Sequence, residues 1–141
     1  MINNIPVEVL LIEDNPEDAE LTIRVLKKHH LANNLIHLQD GEAALDFLFA
    51  EGSSNIPRLI LLDLKMPKMS GMQVLEKVKS DDELKSIPVV ILTSSQEDPD
   101  IAKCYSLGAN SYIVKPVDSN NFFNAIKEMG MYWMILSQPA I

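Results

Sequence analysis

The sequence lacks the features that would place it outside a reducing compartment or against nucleic acid. It has a single cysteine, Cys104, so no disulfide framework can form within the chain, and a reducing cytoplasm is the simpler expectation. It has no excess of positive charge. Twelve Lys and Arg against 20 Asp and Glu leave a net charge of −8, whereas binding a phosphate backbone needs a basic face. The acidity is spread along the chain rather than gathered in a tail. The opening MINNIPVEV has no basic segment followed by an apolar one, so no signal peptide is read. The apolar run Met131–Leu136 falls well short of the ~20 residues of a membrane span. Internal repeats and low-complexity segments are also missing.

What is there is an ordinary globular composition, 47% apolar and 23% charged, over 141 residues. That length suits one domain with a real core and is short for two. The expectation is a single domain over 1–141, with its core at about 6–128 and a last helix reaching about 136.

Short apolar runs alternate with longer amphipathic ones. Val7–Ile12 is apolar apart from Glu8 and runs straight into Glu13 and Asp14 within VEVLLIEDNPED. Asn15-Pro16 supplies a helix N-cap and an N1 proline, with Glu17 and Asp18 as acids in the first turn. Ala19, Ile23 and Leu26 follow at helical spacing. Leu35–Leu38, Leu59–Leu62, Pro88–Leu92 and Ser111–Val114 read as further strands. Helices start near Asp40-Gly41, Ser70-Gly71, Pro99 and Ser119, and Gly108 stops the fourth. Strands apolar on both faces and separated by helices predict a parallel sheet covered on both sides, an α/β doubly wound fold. The common five-stranded order is 2-1-3-4-5, with ligands bound beyond the C-terminal strand ends. Glu13, Asp14, Asp63, Thr93 and Lys115 all fall at that end, on four strands.

If strands one and three are neighbours, three carboxylates crowd one pocket. Like charges that close either keep a proton or recruit a cation. Oxygen-only, carboxylate-rich ligands at the edge of water suit Mg²⁺ (or Mn²⁺). Asp14 and Asp63 are the candidate direct ligands, Glu13 lies close by or acts through water, and the Lys65 backbone carbonyl is a third protein ligand. Asp63 is then fit to attack phosphorus and form an acyl phosphate. Lys115 neutralises charge on the phosphoryl oxygens, and Thr93 donates to one of them. Lys115-Pro116 directs the lysine through an extended, often cis, peptide.

The chain resembles the receiver domains of two-component response regulators over nearly its whole length. The motifs are LLIEDN, LILLDLKMPKMSGMQVL, VVILTSS and GANSYIVKPVD, in that order. Their spacing is 49 residues from Asp14 to Asp63, 30 more to Thr93 and 22 more to Lys115. The likeness is strongest to stand-alone regulators served by cyanobacterial-type phytochrome histidine kinases. It implies a flavodoxin-like receiver fold and a phosphoacceptor, Asp63, charged from a sensor kinase's phosphohistidine. It further implies that Thr93 moves toward the phosphoryl group and Tyr112 swings inward behind it. A partner then reads the face of the fourth helix, fifth strand and fifth helix. No DNA-binding output segment is expected, nor rapid turnover as an enzyme.

Plainer readings stand beside these. Glu13-Asp14 alone would be a solvated turn, Thr93 alone an N-cap, and Tyr112 packing. Lys65 stands where the family often has a small polar residue; its side chain is expected to pair with the phosphoryl group or screen it, altering its lifetime. Lys68 and Lys103 read as surface charges, Cys104 as packing, and His29, His30 and His37 as histidines without metal-ligand spacing. A phosphatase using an aspartyl phosphate would carry a second aspartate where Lys65 stands. A flavin-binding protein would need a phosphate loop, which EDNPED would repel. A receiver-like module without phosphorylation is the third rival. The last helix is over-supplied with apolar residues, which suggests a homodimer through Phe122, Phe123, Met129, Tyr132 and Trp133. The alternative is that its end folds back onto the core.

Overall fold

A computed structural model describes residues 7–50 and 56–131. Five strands and five helices alternate: β1 Val9–Ile12, α1 Pro16–Lys28, β2 Leu35–Leu38, α2 Gly41–Leu48, β3 Leu59–Asp63, α3 Gly71–Lys79, β4 Val89–Thr93, α4 Asp100–Ser106, β5 Ser111–Val114 and α5 Ser119–Glu128. All strand pairs are parallel, in the order β2-β1-β3-β4-β5. The doubly wound, flavodoxin-like receiver fold expected from the sequence is the fold observed.

Successive strand residues face opposite sides. Val9, Leu11, Leu59, Leu61, Val90, Leu92 and Ile113 pack against Ala19 and Leu26 of α1 and Phe122 and Ile126 of α5. Leu10, Ile12, Ile60, Leu62, Val89 and Ile91 pack on the other side against Ala44 of α2, Val74, Leu75 and Val78 of α3, and Cys104 of α4. Burying a strand on both faces leaves water only at its ends, and the C-terminal ends carry the acids.

The helix starts obey local chemistry. Asn15 caps α1 by accepting from the Asp18 amide, with Pro16 at N1. Asp40 caps α2, Ser70 and Gln73 form a capping box on α3, and Asp118 with Asn121 forms another on α5.

Two expectations need correction. The last helix does not run unbroken to about 136, because α5 ends at Glu128. Gly130 adopts φ +73°, Met131 N–H donates to Ile126 O at 3.0 Å and Gly130 N–H to Lys127 O at 2.9 Å, the paired bonds of a Schellman cap. Met131 is buried against the core, which holds that cap in place. Phe122 is fully buried between sheet and helix, so it is core and not part of a surface interface. Phe123 is half-buried, with the Lys127 ammonium 6.0 Å from its ring, and Met129 packs at the core's edge. Tyr132 and Trp133 lie outside the described residues.

Among the described residues, no helix is long and apolar enough to cross a membrane.

Backbone crowds Gly71, whose amide donates to Leu64 O at 2.9 Å. A Cβ there would collide with the Asp63 carbonyl oxygen and lie 2.9 Å from Leu64 Cα, both backbone atoms. At Gly41 the obstacle is the Val74 side chain at 2.8 Å. Gly71→Ala should therefore cost about 2 kcal/mol and lower Tm by roughly 7 °C, whereas Gly41→Ala should cost less because a side chain can shift. Thermal melts followed by circular dichroism read both; an unchanged midpoint in Gly71→Ala contradicts this packing.

Candidate functional site

Register places the acids. Ile12 pairs with Leu62, so Glu13 comes level with Asp63 one row further on. Asp63 pairs with Leu92, which sets Thr93 one row above it, and Thr93 pairs with Val114, immediately before Lys115. Alternation continued past the strand ends sends Glu13, Asp63 and Lys115 to the side covered by α1 and α5, and Thr93 to the side of α4.

Lys115 is the centre of the group. Its Nζ lies 3.2 Å from Glu13 Oε1, 3.2 Å from Asp63 Oδ1 and 3.0 Å from Asp18 Oδ2. Its own amide donates to Thr93 O at 2.7 Å, and the Lys115-Pro116 peptide is cis, as the Lys-Pro pair suggested. Glu13 is fully buried and Asp63 is 3% exposed, while Asp14 is half-buried. Oxygens of Glu13, Asp14 and Asp63 lie within 4.8 Å of one another, the one such group of acids, cysteines or histidines among the described residues.

The surroundings hold Glu13 in place. Its Oε2 accepts from the Asn15 amide at 3.1 Å, and its own amide donates to Leu38 O at 3.1 Å. Its carbonyl accepts from His37 Nε2 at 3.0 Å, which settles His37 as an N–H-satisfied histidine. Buried acids without such partners would be costly.

Charge is unbalanced here. Burial, a hydrogen bond and repulsion from Glu13, and the nearby Asp14 push the Asp63 carboxyl up to about 8, against the pull of Lys115. Burial alone would lower the Lys115 ammonium, but Asp18, Asp63 and Glu13 outweigh it and hold its pKa above the ordinary value. One ammonium does not balance these carboxylates, and the remaining demand suits a second, divalent cation.

Asp18 is the functional residue that sequence reasoning missed. In the sequence it is an acid in the first turn of α1, complementing the helix dipole. In the fold it makes the shortest of the three contacts to Lys115. Its carbonyl accepts from Thr22 Oγ1 at 3.0 Å and its amide donates to Asn15 Oδ1 at 2.9 Å, so its backbone is fixed at both ends. Only the odd spacing of a Glu-Asp-x-x-x-Asp run could have flagged it.

Thr93 is buried, and its hydroxyl donates to Ser95 O at 3.2 Å, turned into its own loop. Tyr112 is half-buried and meets Tyr105 of α4 edge-on, ring centres 6.3 Å apart. Lys65 reaches Asp98 Oδ2 at 3.4 Å. Cys104 is core packing. His29 stacks at 5.6 Å against Phe122.

The chain as a whole is similar to known proteins. The model of the response regulator receiver domain matches residues 9–127. The chain is 38% identical over 131 residues to the probable methanogenesis regulatory protein FilR2 of Methanothrix harundinacea, covering 92% of this chain and 84% of that one. It is 38% identical over 135 residues to response regulator Rcp1 of Synechocystis, covering 94% and 92%. A solved Mn²⁺-bound form of Rcp1 superposes with a TM-score of 0.73 at 37% identity, covering 96% and 99%. The bacteriophytochrome response regulator RtBRR superposes with a TM-score of 0.83 at 45% identity, covering 96% of this chain and 85% of that one. With acids, lysine and threonine gathered at the ends of a 2-1-3-4-5 sheet, the chain belongs to the response regulator receiver domain family of two-component signalling.

Proposed function

We propose that this chain is a phosphoacceptor switch in which Asp63 takes a phosphoryl group from a sensor kinase's phosphohistidine. The observation that carries the reading is the convergence of Glu13, Asp14 and Asp63 on one point with Lys115 among them. In the transfer, an Asp63 carboxylate oxygen forms a bond to phosphorus as the phosphorus–nitrogen bond to the donor imidazole breaks. The imidazole leaves with its electron pair and takes a proton, and Asp63 becomes an acyl phosphate. Lys115 is placed to neutralise phosphoryl oxygens, and Thr93 to turn from Ser95 O and donate to one of them.

The donor set fits a hard divalent cation: three carboxylates, no soft ligand, and one acid that keeps its proton for want of positive charge. Asp14, Asp63 and the Lys65 carbonyl would hold Mg²⁺ or Mn²⁺, with Glu13 alongside. The ion supplies charge neutralisation at the phosphoryl oxygens. Likeness to the bacteriophytochrome response regulator RtBRR supports a phytochrome-type kinase as donor.

Output passes through the face of α4, β5 and α5, where Tyr112 meets Tyr105. Turnover of the phosphatase kind is disfavoured, because the residue two positions past Asp63 is Lys65 and no acid stands there. Self-association through α5 rests on half-exposed Phe123 and on Met129.

Incubation with acetyl phosphate and Mg²⁺ should add one phosphoryl group by intact mass, and none in Asp63→Asn or with EDTA. Uptake that persists in Asp63→Asn removes Asp63 as acceptor; no uptake by wild type removes the reading. Metal binding should be linked to protons. The Asp63 carboxyl is raised from 3.8 to about 8, so the native state holds the extra proton between those values. Stability of the metal-free protein should therefore fall as pH rises through that window. Mg²⁺ must displace that proton, so calorimetry should show affinity rising from pH 6 to 8, by at most about tenfold per unit, with proton release. A flat profile contradicts it. For self-association, sedimentation velocity with and without beryllofluoride should show a shift in dimer content; a monomer in both removes it.

A further inference from the structure

A second lysine stands beside Asp63 and its partner is unusual. Lys65 follows Asp63 by two residues, and its ammonium lies 3.4 Å from Asp98 Oδ2 in the loop between β4 and α4. The two ends are unlike: the Lys65 side chain is 68% exposed and that of Asp98 is 5% exposed. A buried carboxylate is costly without its cation, whereas an exposed lysine on a flexible stem moves at little cost.

Asp98 also organises the loop. Its Oδ1 accepts from the Asp100 amide at 2.9 Å, at the first residue of α4, and its own amide donates to Ser95 O at 3.2 Å. The same Ser95 carbonyl accepts from the Thr93 hydroxyl. One short loop is thus held by two groups, the Thr93 hydroxyl and the Lys65 ammonium. Both would find a stronger acceptor in a phosphoryl group on Asp63, which carries more charge than a carboxylate. A plain surface pair would be two exposed side chains, worth little. The burial of Asp98 sets this one apart.

We propose that Asp98 is a positioning residue that holds Lys65 off the phosphoryl site, and that a phosphoryl group on Asp63 takes Lys65 from it, loosening the loop that leads into α4. This rests on Asp63 being the phosphoacceptor. Lys65 is then a counter-charge shared between two anions, and the resting pair opposes loading of the site.

The test is a double-mutant cycle on the full chain: wild type, Asp98→Asn, Lys65→Gln and both together. Each is titrated with beryllofluoride in saturating Mg²⁺ by calorimetry, with amide resonances of residues 95–100 followed by NMR. In Asp98→Asn the amide oxygen still accepts from the Asp100 N–H, so the turn into α4 persists while the competing charge is gone. Asp98→Asn should bind the analogue at least about three-fold tighter, the weight of an ordinary exposed ion pair being the lower bound, and that gain should vanish in the Lys65→Gln background. Resonances of the loop should move on binding in wild type and less in Lys65→Gln. Unchanged affinity in Asp98→Asn, or the same gain with Lys65 absent, overturns the proposal. Wild type that binds the analogue with additive variants sinks this inference alone; wild type that does not bind it sinks the phosphoacceptor reading as well.

Discussion

The site depends on a shortage of positive charge around a single ammonium. Lys115 lies within 3.2 Å of three carboxylates on three separate segments, and Asp14 stands a few ångströms further on. Two of its partners are almost wholly buried, where each unpaired charge would be penalised by several kcal/mol. The pocket therefore holds a proton that an exposed aspartate would have lost. Such a pocket gains from any added cation and, once it has one, can accept an anion. The metal binding and phosphoryl acceptance proposed for the site would both follow from that one imbalance.

The fold creates the shortage by parallel register rather than by any local motif. Adjacent β1 and β3 end one residue apart in level, which forces Glu13 and Asp63 together. The opposite wing brings Lys115 one row beyond Thr93 through β4 and β5, because Thr93 pairs with Val114. Packing fixes the heights. Gly71 leaves no room between α3 and the Asp63 carbonyl, so the strand end carrying the acid cannot slide without moving the helix. The core on both faces contributes stability, and the strand ends concentrate what that stability must offset. Local strain at functional sites is sustained by well-packed surroundings in this way.

The parts legible in the sequence are those set by short-range chemistry. Continuous apolar runs gave the strands, the first and third of them ending in acids, and Asn15, Asp40 and Ser70 marked helix starts because capping is decided within three residues. Two readings failed for contrasting reasons. The apolar residues beyond Met129 carried the helical pattern onward, but Gly130 at positive φ overrode it, and the KEMG run had contained that stop. Phe122 counted as surplus only because the width of the buried stripe on α5 cannot be judged without the sheet it covers. Asp18 and Asp98 were invisible as partners of lysines. Their pairings join positions 97 and 33 residues apart, and neither neighbourhood names the lysine at the other end.

Those two acids make a matched comparison. Each lysine that flanks Asp63 is tied to an acid outside the metal cluster: Lys115 to Asp18 in the first turn of α1, Lys65 to Asp98 before α4. In the proposed switch an anion on Asp63 draws on both lysines, but the acids left behind differ. Asp18 is 30% exposed and water can take over its solvation, so α1 has little reason to move. Asp98 is 5% exposed, and its remaining bond is to the amide that opens α4. A buried carboxylate that loses its cation must be re-solvated or re-paired, and only motion of its loop can do either. The same chemical event at the centre is therefore absorbed on one side and transmitted on the other. On the phosphoacceptor reading, differential burial of two otherwise similar acids would give the switch a direction, toward α4 and the Tyr105–Tyr112 face beside it.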